Sequence, residues 1–280
     1  MNRHSLPGYH TRMKFSVRVP VVRTALAAAL MALSACGPQK FTKQELSNNQ
    51  SLIAASIKAE RNKNWSLAAT GFEQLTFNLP ARDPILPVVY YHLGVAHQNE
   101  KEFILAAQAF SRVPENFPED TLAPIATYQA GVSYAKLWRK PDLDSDYGTT
   151  AMSTFQSFLA AYPDSPLRDS AQKAIDQLNE MFAKKSLGAA DLYAKERAWD
   201  SSIIYYKDVI AKWPQTESSK HAMIGLVKAY RAISYRDDAL ETCAQLHEKY
   251  PKDNDVEKTC PPPKTAAPAP VTPPVAPVKQ

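Results

Sequence analysis

Five prolines, each following a leucine or an aromatic residue, constrain this chain more than any other feature. The stretch FQSFLAAYPDS at 155–165 has the composition of a helix and ends in Tyr-Pro. Related endings occur as NFP at 116–118, KWP at 212–214 and KYP at 249–251. Because proline lacks an N–H and clashes with the preceding turn, each helix has to end there. The sequence therefore predicts a series of helices that are stopped at intervals.

Positions counted back from these five prolines share a pattern of side-chain size. Eight residues before each proline lie Phe72, Phe110, Phe155, Tyr206 and Cys243, and the first four of these are aromatic. Four residues earlier, all five are small: Ala68, Ala106, Ala151, Ser202 and Ala239. Four residues return to the same helical face. A small residue beside a bulky one lets two helices approach and interlock, so each stopped helix is expected to have a close partner.

A partner helix can be found upstream, where Gly94 lies inside VYYHLGVAHQ and Gly131 lies in the third unit, eight residues earlier than the spacing predicts. This arrangement resembles the tetratricopeptide repeat, which implies an all-α superhelix of about five helix-turn-helix repeats. The alternative is an unrelated helical bundle. The segment RKPDLDSD at 139–146 is interpreted as an insertion in the third inter-helix turn. Helix N-caps are expected shortly after the prolines, at Asp83, Thr121, Ser165 and Thr216.

The fourth unit begins with an unusually long uninterrupted segment. Between Pro166 and Arg197 there is no further proline and a single glycine, Gly188, and apolar residues keep close to helical spacing. The segment predicts one helix of about thirty residues, ~45 Å long. Such a strut would fix the angle between repeats 1–3 and repeats 4–5.

The N-terminus has the organisation of an export signal. Basic residues precede a short apolar segment at 24–33, which is too short to span a bilayer. It ends in Leu-Ser-Ala-Cys at 33–36, which resembles the lipobox of bacterial lipoproteins and implies cleavage before an acylated Cys36. Gly37 in place of an acid implies passage to the outer membrane. The alternatives are an ordinary secretory signal with a chance cysteine, and a true start at Met13 instead of Met1.

The net charge of +5 belongs to this signal, since residues 1–35 contain five basic residues and no acid. The remaining chain holds 28 basic against 28 acidic residues, so neither a nucleic-acid partner nor a basic patch for anionic lipid is predicted. We expect a signal peptide at 1–35, a tether at 36–45 and a solenoid at 46–256. The solenoid divides into repeats 1–3 at 46–163 and repeats 4–5 at 164–256, and a disordered Pro-rich tail follows at 257–280.

Two stretches resemble one particular family. AMSTFQSFLAAYPDSPLRDSAQKAIDQL at 151–178 and LYAKERAWDSSIIYYKDVIAKWPQT at 192–216 are similar to the BamD family of outer-membrane protein assembly lipoproteins. The resemblance implies a periplasmic, outer-membrane-anchored scaffold that holds unfolded barrel clients on its N-terminal repeats. It also implies that the C-terminal repeats dock a β-barrel assembly subunit with periplasmic repeats. A tetratricopeptide lipoprotein of envelope division or peptidoglycan processes is the alternative.

The repeat register places four residues toward the concave surface: Tyr91, Val95, Tyr128 and Val132. Their amphipathic tyrosines predict a slot for an extended, aromatic-rich peptide. In the alternative, the tyrosines pack between repeats. Trp138, beside the insertion, is predicted to be a surface anchor.

Cys243 and Cys260 are the remaining thiols after Cys36 and are predicted to form a disulfide in an oxidising compartment. A buried free thiol at Cys243 is the competing interpretation. No spacing typical of a catalytic, metal or phosphate site occurs, so neither enzyme activity nor a cofactor is expected. The tail, with eight prolines after position 260, is interpreted as a spacer, a recognition arm or a passive segment.

Overall fold

The computed structural model describes residues 40–261, which form helices and no strand. The signal peptide, Cys36 and residues 262–280 of the tail lie outside the described residues. The helices in this part of the chain are α1 Asn49–Arg61, α2 Trp65–Asn78, α3 Leu86–Asn99, α4 Phe103–Asn116, α5 Ala123–Leu137, α6 Asp146–Ala161, α7 Arg168–Lys195, α8 Trp199–Lys212, α9 Glu217–Ala232, α10 Arg236–Lys249 and α11 Asn254–Thr259. None of the described helices is long and apolar enough to cross a membrane.

The first ten helices form five antiparallel hairpins that stack side by side, as the repeat pattern predicted. Each helix packs on the next, and α3, α5, α7 and α9, the first helices of hairpins two to five, contact one another in succession along one face. The fold is therefore an all-α superhelix of the tetratricopeptide type. This face is its concave side, because the first helices of such repeats line the inner groove.

Four of the five hairpins are closed by the same three-residue turn. Its central residue has a positive φ of 58° to 65° at Lys63, Lys101, Arg197 and Ser234. In each turn, the N–H of the following residue donates to the carbonyl five residues back, as from Glu102 to His97. This left-handed termination usually uses glycine. Here lysine, arginine and serine occupy the left-handed position, in a chain that contains only eight glycines.

The core follows the predicted alternation of small and bulky side chains. All five small positions and all five bulky positions are buried. A Cβ added to Gly94 would lie 2.6 Å from the Phe110 ring, and one added to Gly131 would lie 2.8 Å from Phe155. At Gly225 the bulky partner is Tyr206, which belongs to the preceding hairpin. Glycine thus sets the helix–helix distance within and between repeats.

The proline stops end α2, α4, α6, α8 and α10 where predicted, but the N-cap predictions were mostly wrong. Only Thr216 directly precedes its helix and accepts a hydrogen bond from the backbone N–H of Ser219. After Pro80, Pro118 and Pro163 the chain makes an extra turn before the next helix begins. Asp83 and Ser165 accept hydrogen bonds from backbone N–H groups two residues on, within that turn.

The long helix was predicted correctly, and α7 extends over 28 residues. Its beginning packs on α6, and its remainder packs on α8 and α9, so both halves of the superhelix share it. Phe182 lies between two tryptophan rings, with ring centroids 4.5 Å from Trp138 and 6.5 Å from Trp213. The prediction that Trp138 is a surface anchor was wrong. Its side chain is 1% exposed, because the ring fills the space above Gly148 and against Phe182.

Two hydrogen-bonded contacts attach α7 to the segments on either side of it. Lys185 Nζ donates to the carbonyls of Pro141 and Leu143, at 3.3 and 2.8 Å, and so holds the long third turn. The Glu180 carboxylate accepts from the backbone N–H and hydroxyl of Ser218 at the N-terminus of α9. A carboxylate is favourable at that end of a helix. The two contacts attach α7 to the third turn on one side and to α9 on the other.

The short helix α11 closes the C-terminal end of the superhelix. Val256 is fully buried against the last hairpin, and Lys220 on α9 makes an ion pair of 3.0 Å with Asp253. The structure joins Cys243 and Cys260 in a disulfide, with 5.5 Å between their Cα atoms. Solenoids need such an end to separate their last apolar face from water.

Candidate peptide-binding groove

A groove of about 500 Å³ lies on the concave surface between α5 and α7. Its apolar lining residues come from both helices and from Phe155 of α6, and its polar lining residues come from α5 and α7. The lining residues are Tyr128, Val132, Ala135, Lys136, Phe155, Ser170, Lys173, Ala174, Gln177, Leu178 and Met181. An apolar concave surface with few polar groups is typical of ligand sites.

The structure brings two of the four predicted groove residues together. Tyr128 and Val132 lie one helical turn apart on α5 and both line this groove. Tyr128 also packs against Phe155 and Phe158, with ring centroids 5.7 and 6.0 Å away. Its ring is therefore held in place from below while part of its surface remains accessible.

The other two predicted residues, Tyr91 and Val95, lie on α3, the first helix of the preceding hairpin, and do not line the α5–α7 groove. They pack against the core around Phe110, whose ring centroid is 5.6 Å from that of Tyr91. Burial, and secondarily the nearby Glu60 carboxylate, raises the pKa of the Tyr91 hydroxyl. These two residues are half-buried and pack on the core that the second hairpin forms with α5.

Polar contacts tie neighbouring helices of the concave surface together. His92 Nδ1 lies 2.8 Å from a Glu60 carboxylate oxygen and joins α3 to α1. The Gln98 side-chain amide donates to Ser133 Oγ at 3.1 Å and joins α3 to α5. Neither pair was found from the sequence, because their members are more than thirty positions apart and follow no motif. These contacts hold the spacing of the helices beside the groove.

Sequence reasoning also missed the far wall of the groove and its charge. Leu178 and Met181 form that wall, and Lys136 and Lys173 stand on opposite sides of the groove. Met181 is unbranched and adaptable, which suits the binding of differing apolar side chains. The amphipathic spacing of α7 could have indicated its buried face, but not which α5 residues it faces.

A second set of accessible apolar side chains lies on the C-terminal hairpins. The rings of Tyr193 and Tyr205 stack with centroids 5.1 Å apart. Their sequence neighbours Leu192 and Ile204 are 54% and 66% exposed. The stacked tyrosines, with exposed apolar residues next to them in the sequence, mark a candidate protein contact surface.

Among residues 40–261, no group of three or more histidine, cysteine, aspartate or glutamate side chains is arranged to hold a metal ion. The stacked hairpins define a tetratricopeptide-type repeat protein, and the apolar groove is its candidate binding surface. The chain belongs to the YfiO family, which is described as outer membrane lipoprotein. The model of this family matches residues 47–251.

Curated relatives carry a common name. The chain is similar to outer membrane protein assembly factor BamD of Vibrio cholerae, with 28% identity over 110 residues, which cover 39% of this chain and 45% of that protein. The match therefore spans less than half the length of that relative. The BamD of Pasteurella multocida is 21% identical over 235 residues, which cover 79% of this chain and 88% of that protein.

The structure also resembles solved tetratricopeptide structures at low similarity. The TPR2AB domain of yeast Sti1, solved in complex with pHSP90, superposes with a TM-score of 0.41 and 14% identity. That match covers 75% of this chain and 81% of the other.

Proposed function

We propose that this protein is a non-catalytic scaffold in outer-membrane protein assembly, anchored through a lipid on Cys36 to the periplasmic face of the outer membrane. Membership of an outer membrane lipoprotein family supports the location, and the name shared by its curated relatives supports the process. The apolar groove between α5 and α7 is the observation that carries the binding role.

The ligand of the groove would be an extended segment of an unfolded barrel protein. Strands of such barrels alternate apolar and polar side chains. In an extended chain, side chains on the same side are ~6.8 Å apart. Tyr128 would anchor one apolar side chain, and the wall formed by Leu178 and Met181 would accept the next. Because the floor of the groove is apolar and offers no fixed pattern of hydrogen-bond donors and acceptors, the groove would accept many clients.

The partner subunit of the assembly machinery would dock on the C-terminal hairpins. The stacked pair of Tyr193 and Tyr205, with Leu192 and Ile204 beside it in the sequence, offers the accessible apolar area that such docking needs. Aromatic residues are enriched in the energetically dominant centres of protein interfaces. The two sites would share α7, with the client groove along residues 170–181 and the partner surface at its C-terminal end and on α8.

The client groove can be tested with a fluorescent ten-residue peptide that alternates leucine, tyrosine or phenylalanine with serine or asparagine. We expect Tyr128→Ala to weaken binding about tenfold, the loss of one buried anchor. Tyr91→Ala should weaken it by less than about threefold, since Tyr91 lies outside the groove. Tyr147→Ala, an accessible tyrosine on α6, is the matched control and should leave affinity unchanged.

A second variant separates binding from folding, because Tyr128 also packs against Phe155 and Phe158. Gln177 is exposed on the groove wall, so Gln177→Trp would occupy the groove without disturbing the core. Its affinity should fall about tenfold while its urea midpoint stays that of the wild type. Unchanged peptide affinity in both Tyr128→Ala and Gln177→Trp would show that the groove is not the client site.

A further inference from the structure

The fold gathers basic residues at the closed end of the first hairpin. Lys58 and Arg61 lie in the last turn of α1, and Lys63 is the left-handed residue of the turn that follows. Lys40 and Lys58 line the same cavity of about 360 Å³, together with Phe41 and Asn62. Lys43 follows three residues after Lys40. All five cations are exposed, and none forms an ion pair within the described part of the chain.

The acids nearest to these cations are already engaged. The Glu45 carboxylate accepts hydrogen bonds of 2.7 and 2.9 Å from the backbone N–H and hydroxyl of Thr42. The Glu60 carboxylate lies 2.8 Å from His92. A carboxylate keeps its charge when it accepts a hydrogen bond, and the Lys58 charge contributes to lowering the pKa of Glu45, but five cations against these two acids leave a net positive field at this end of the hairpin.

Helix-dipole complementation does not account for this number of cations. A basic residue near a helix C-terminus is favourable, and the first helices of the other four hairpins each have one in their last turn: His97, Lys136, Lys195 and Arg231. Among these first helices α1 alone has two, and Lys40, Lys43 and Lys63 add to them from the flanking segments.

The chain itself indicates what this surface faces. Phe41 packs beside Gly71 and Ser56, so the N-terminal segment is held against the first hairpin. Cys36 precedes Lys40 by four residues, which span at most ~14 Å when fully extended. A lipid on Cys36 would therefore hold Lys40 at most ~14 Å from the membrane surface, and any shorter path of the connecting residues would bring it toward the ~8 Å Debye length within which headgroup charges act at physiological salt.

We infer that the basic end of the first hairpin, formed by Lys40, Lys43, Lys58, Arg61 and Lys63, is a docking surface for the anionic phospholipid headgroups of the membrane. The covalent lipid would hold the protein at the membrane, and the cations would orient the first hairpin toward it. The inference rests on the proposed anchor at Cys36 for its biological setting. Headgroup binding itself does not need the anchor, so the two can fail separately.

The test uses the mature chain, residues 36–280, with Cys36→Ser so that no lipid is attached. Its binding is measured by cosedimentation with vesicles of phosphatidylcholine containing 30% phosphatidylglycerol, and with vesicles of pure phosphatidylcholine. Each basic residue near an anionic surface contributes about fivefold in affinity, so the triple variant should bind about 100-fold more weakly. That variant is Lys58→Gln, Arg61→Gln and Lys63→Asn.

A matched triple variant removes the same charge from the fourth and fifth hairpins. It comprises Lys195→Gln, Arg197→Asn and Lys228→Gln, all exposed, with Arg197 in the same left-handed turn position as Lys63. This variant should bind within about threefold of the wild type. Equal binding to both kinds of vesicle, or equal losses in the two triple variants, would overturn the inference. Incorporation of labelled palmitate at Cys36 in cells tests the anchor independently.

Discussion

Two glycines in different surroundings make a direct test of the close-packing argument. Gly94 on α3 and Gly188 on α7 are both helical, so replacement by alanine improves helix propensity equally, by ~1 kcal/mol. A Cβ on Gly188 meets nothing within 4 Å, whereas a Cβ on Gly94 would lie 2.6 Å from Phe110. Phe110 is fully buried and lies against Tyr91, so its ring has no free space to move into.

The expected stabilities therefore have opposite signs. Gly188→Ala should stabilise the protein by ~1 kcal/mol. Adding a methyl group to a filled core costs ~1–3 kcal/mol, and a contact this short belongs in the upper half of that range. After the gain in propensity, Gly94→Ala should destabilise by ~1–2 kcal/mol, so the variants differ by ~2–3 kcal/mol.

Urea unfolding followed by far-UV circular dichroism measures this difference. The urea midpoint should rise for Gly188→Ala and fall for Gly94→Ala, with unchanged m-values to show that only stability has changed. In a thermal scan, the two melting temperatures should be separated by ~4–12 °C for a fold of this size. If Gly94→Ala stabilised the protein as much as Gly188→Ala, the close approach of α3 and Phe110 would be refuted.

Three further predictions concern the C-terminal end and the long third turn. Replacing Cys243 and Cys260 by serine opens an 18-residue loop and should lower the free energy of unfolding by ~3 kcal/mol; an unchanged urea midpoint would count against the bridge. The hydrogen bond from Lys220 lowers the pKa of the Asp253 carboxyl below its usual 3.8. The ion pair therefore stabilises α11 above pH 3.8, and this stabilisation is lost as the pH falls through the lowered pKa of the folded protein. Hydrogen-exchange protection at Val256 should decline in this acidic range, and Lys220→Met should move the decline to higher pH. Lys185→Ala should speed exchange at residues 142–145 with a global cost of ~1 kcal/mol, and unaltered exchange there would show that Lys185 does not hold this turn.

The repeat architecture could be predicted from sequence because it depends on local rules. Proline ends a helix wherever it occurs, and the spacing of small and bulky residues follows from helical geometry. These rules located the hairpins, the long α7 and the insertion before α6. They failed at three N-caps, because the extra turn after Pro80, Pro118 and Pro163 depends on how consecutive hairpins stack and has no local signature.

The groove and the basic surface could be predicted only in part. Tyr128 and Val132 lie on one helix, so periodicity placed them together, but their opposing wall on α7 is more than forty positions away. The burial of Trp138 depends on Gly148 and Phe182, which meet it only after the third turn closes. The balanced charge of the mature chain concealed the cations of the first hairpin, because a total says nothing about where charges lie.

The position of α7 explains how a solenoid can present a rigid groove. One continuous helix supplies the groove wall with Leu178 and Met181, caps α9 with Glu180, and places Phe182 between two tryptophans. These four residues occupy little more than one helical turn, so the wall is fixed by contacts on both sides. A preformed groove avoids the entropy of ordering its own walls when a ligand binds. The strut would thus favour the proposed capture of a flexible client segment, whose own ordering already opposes binding.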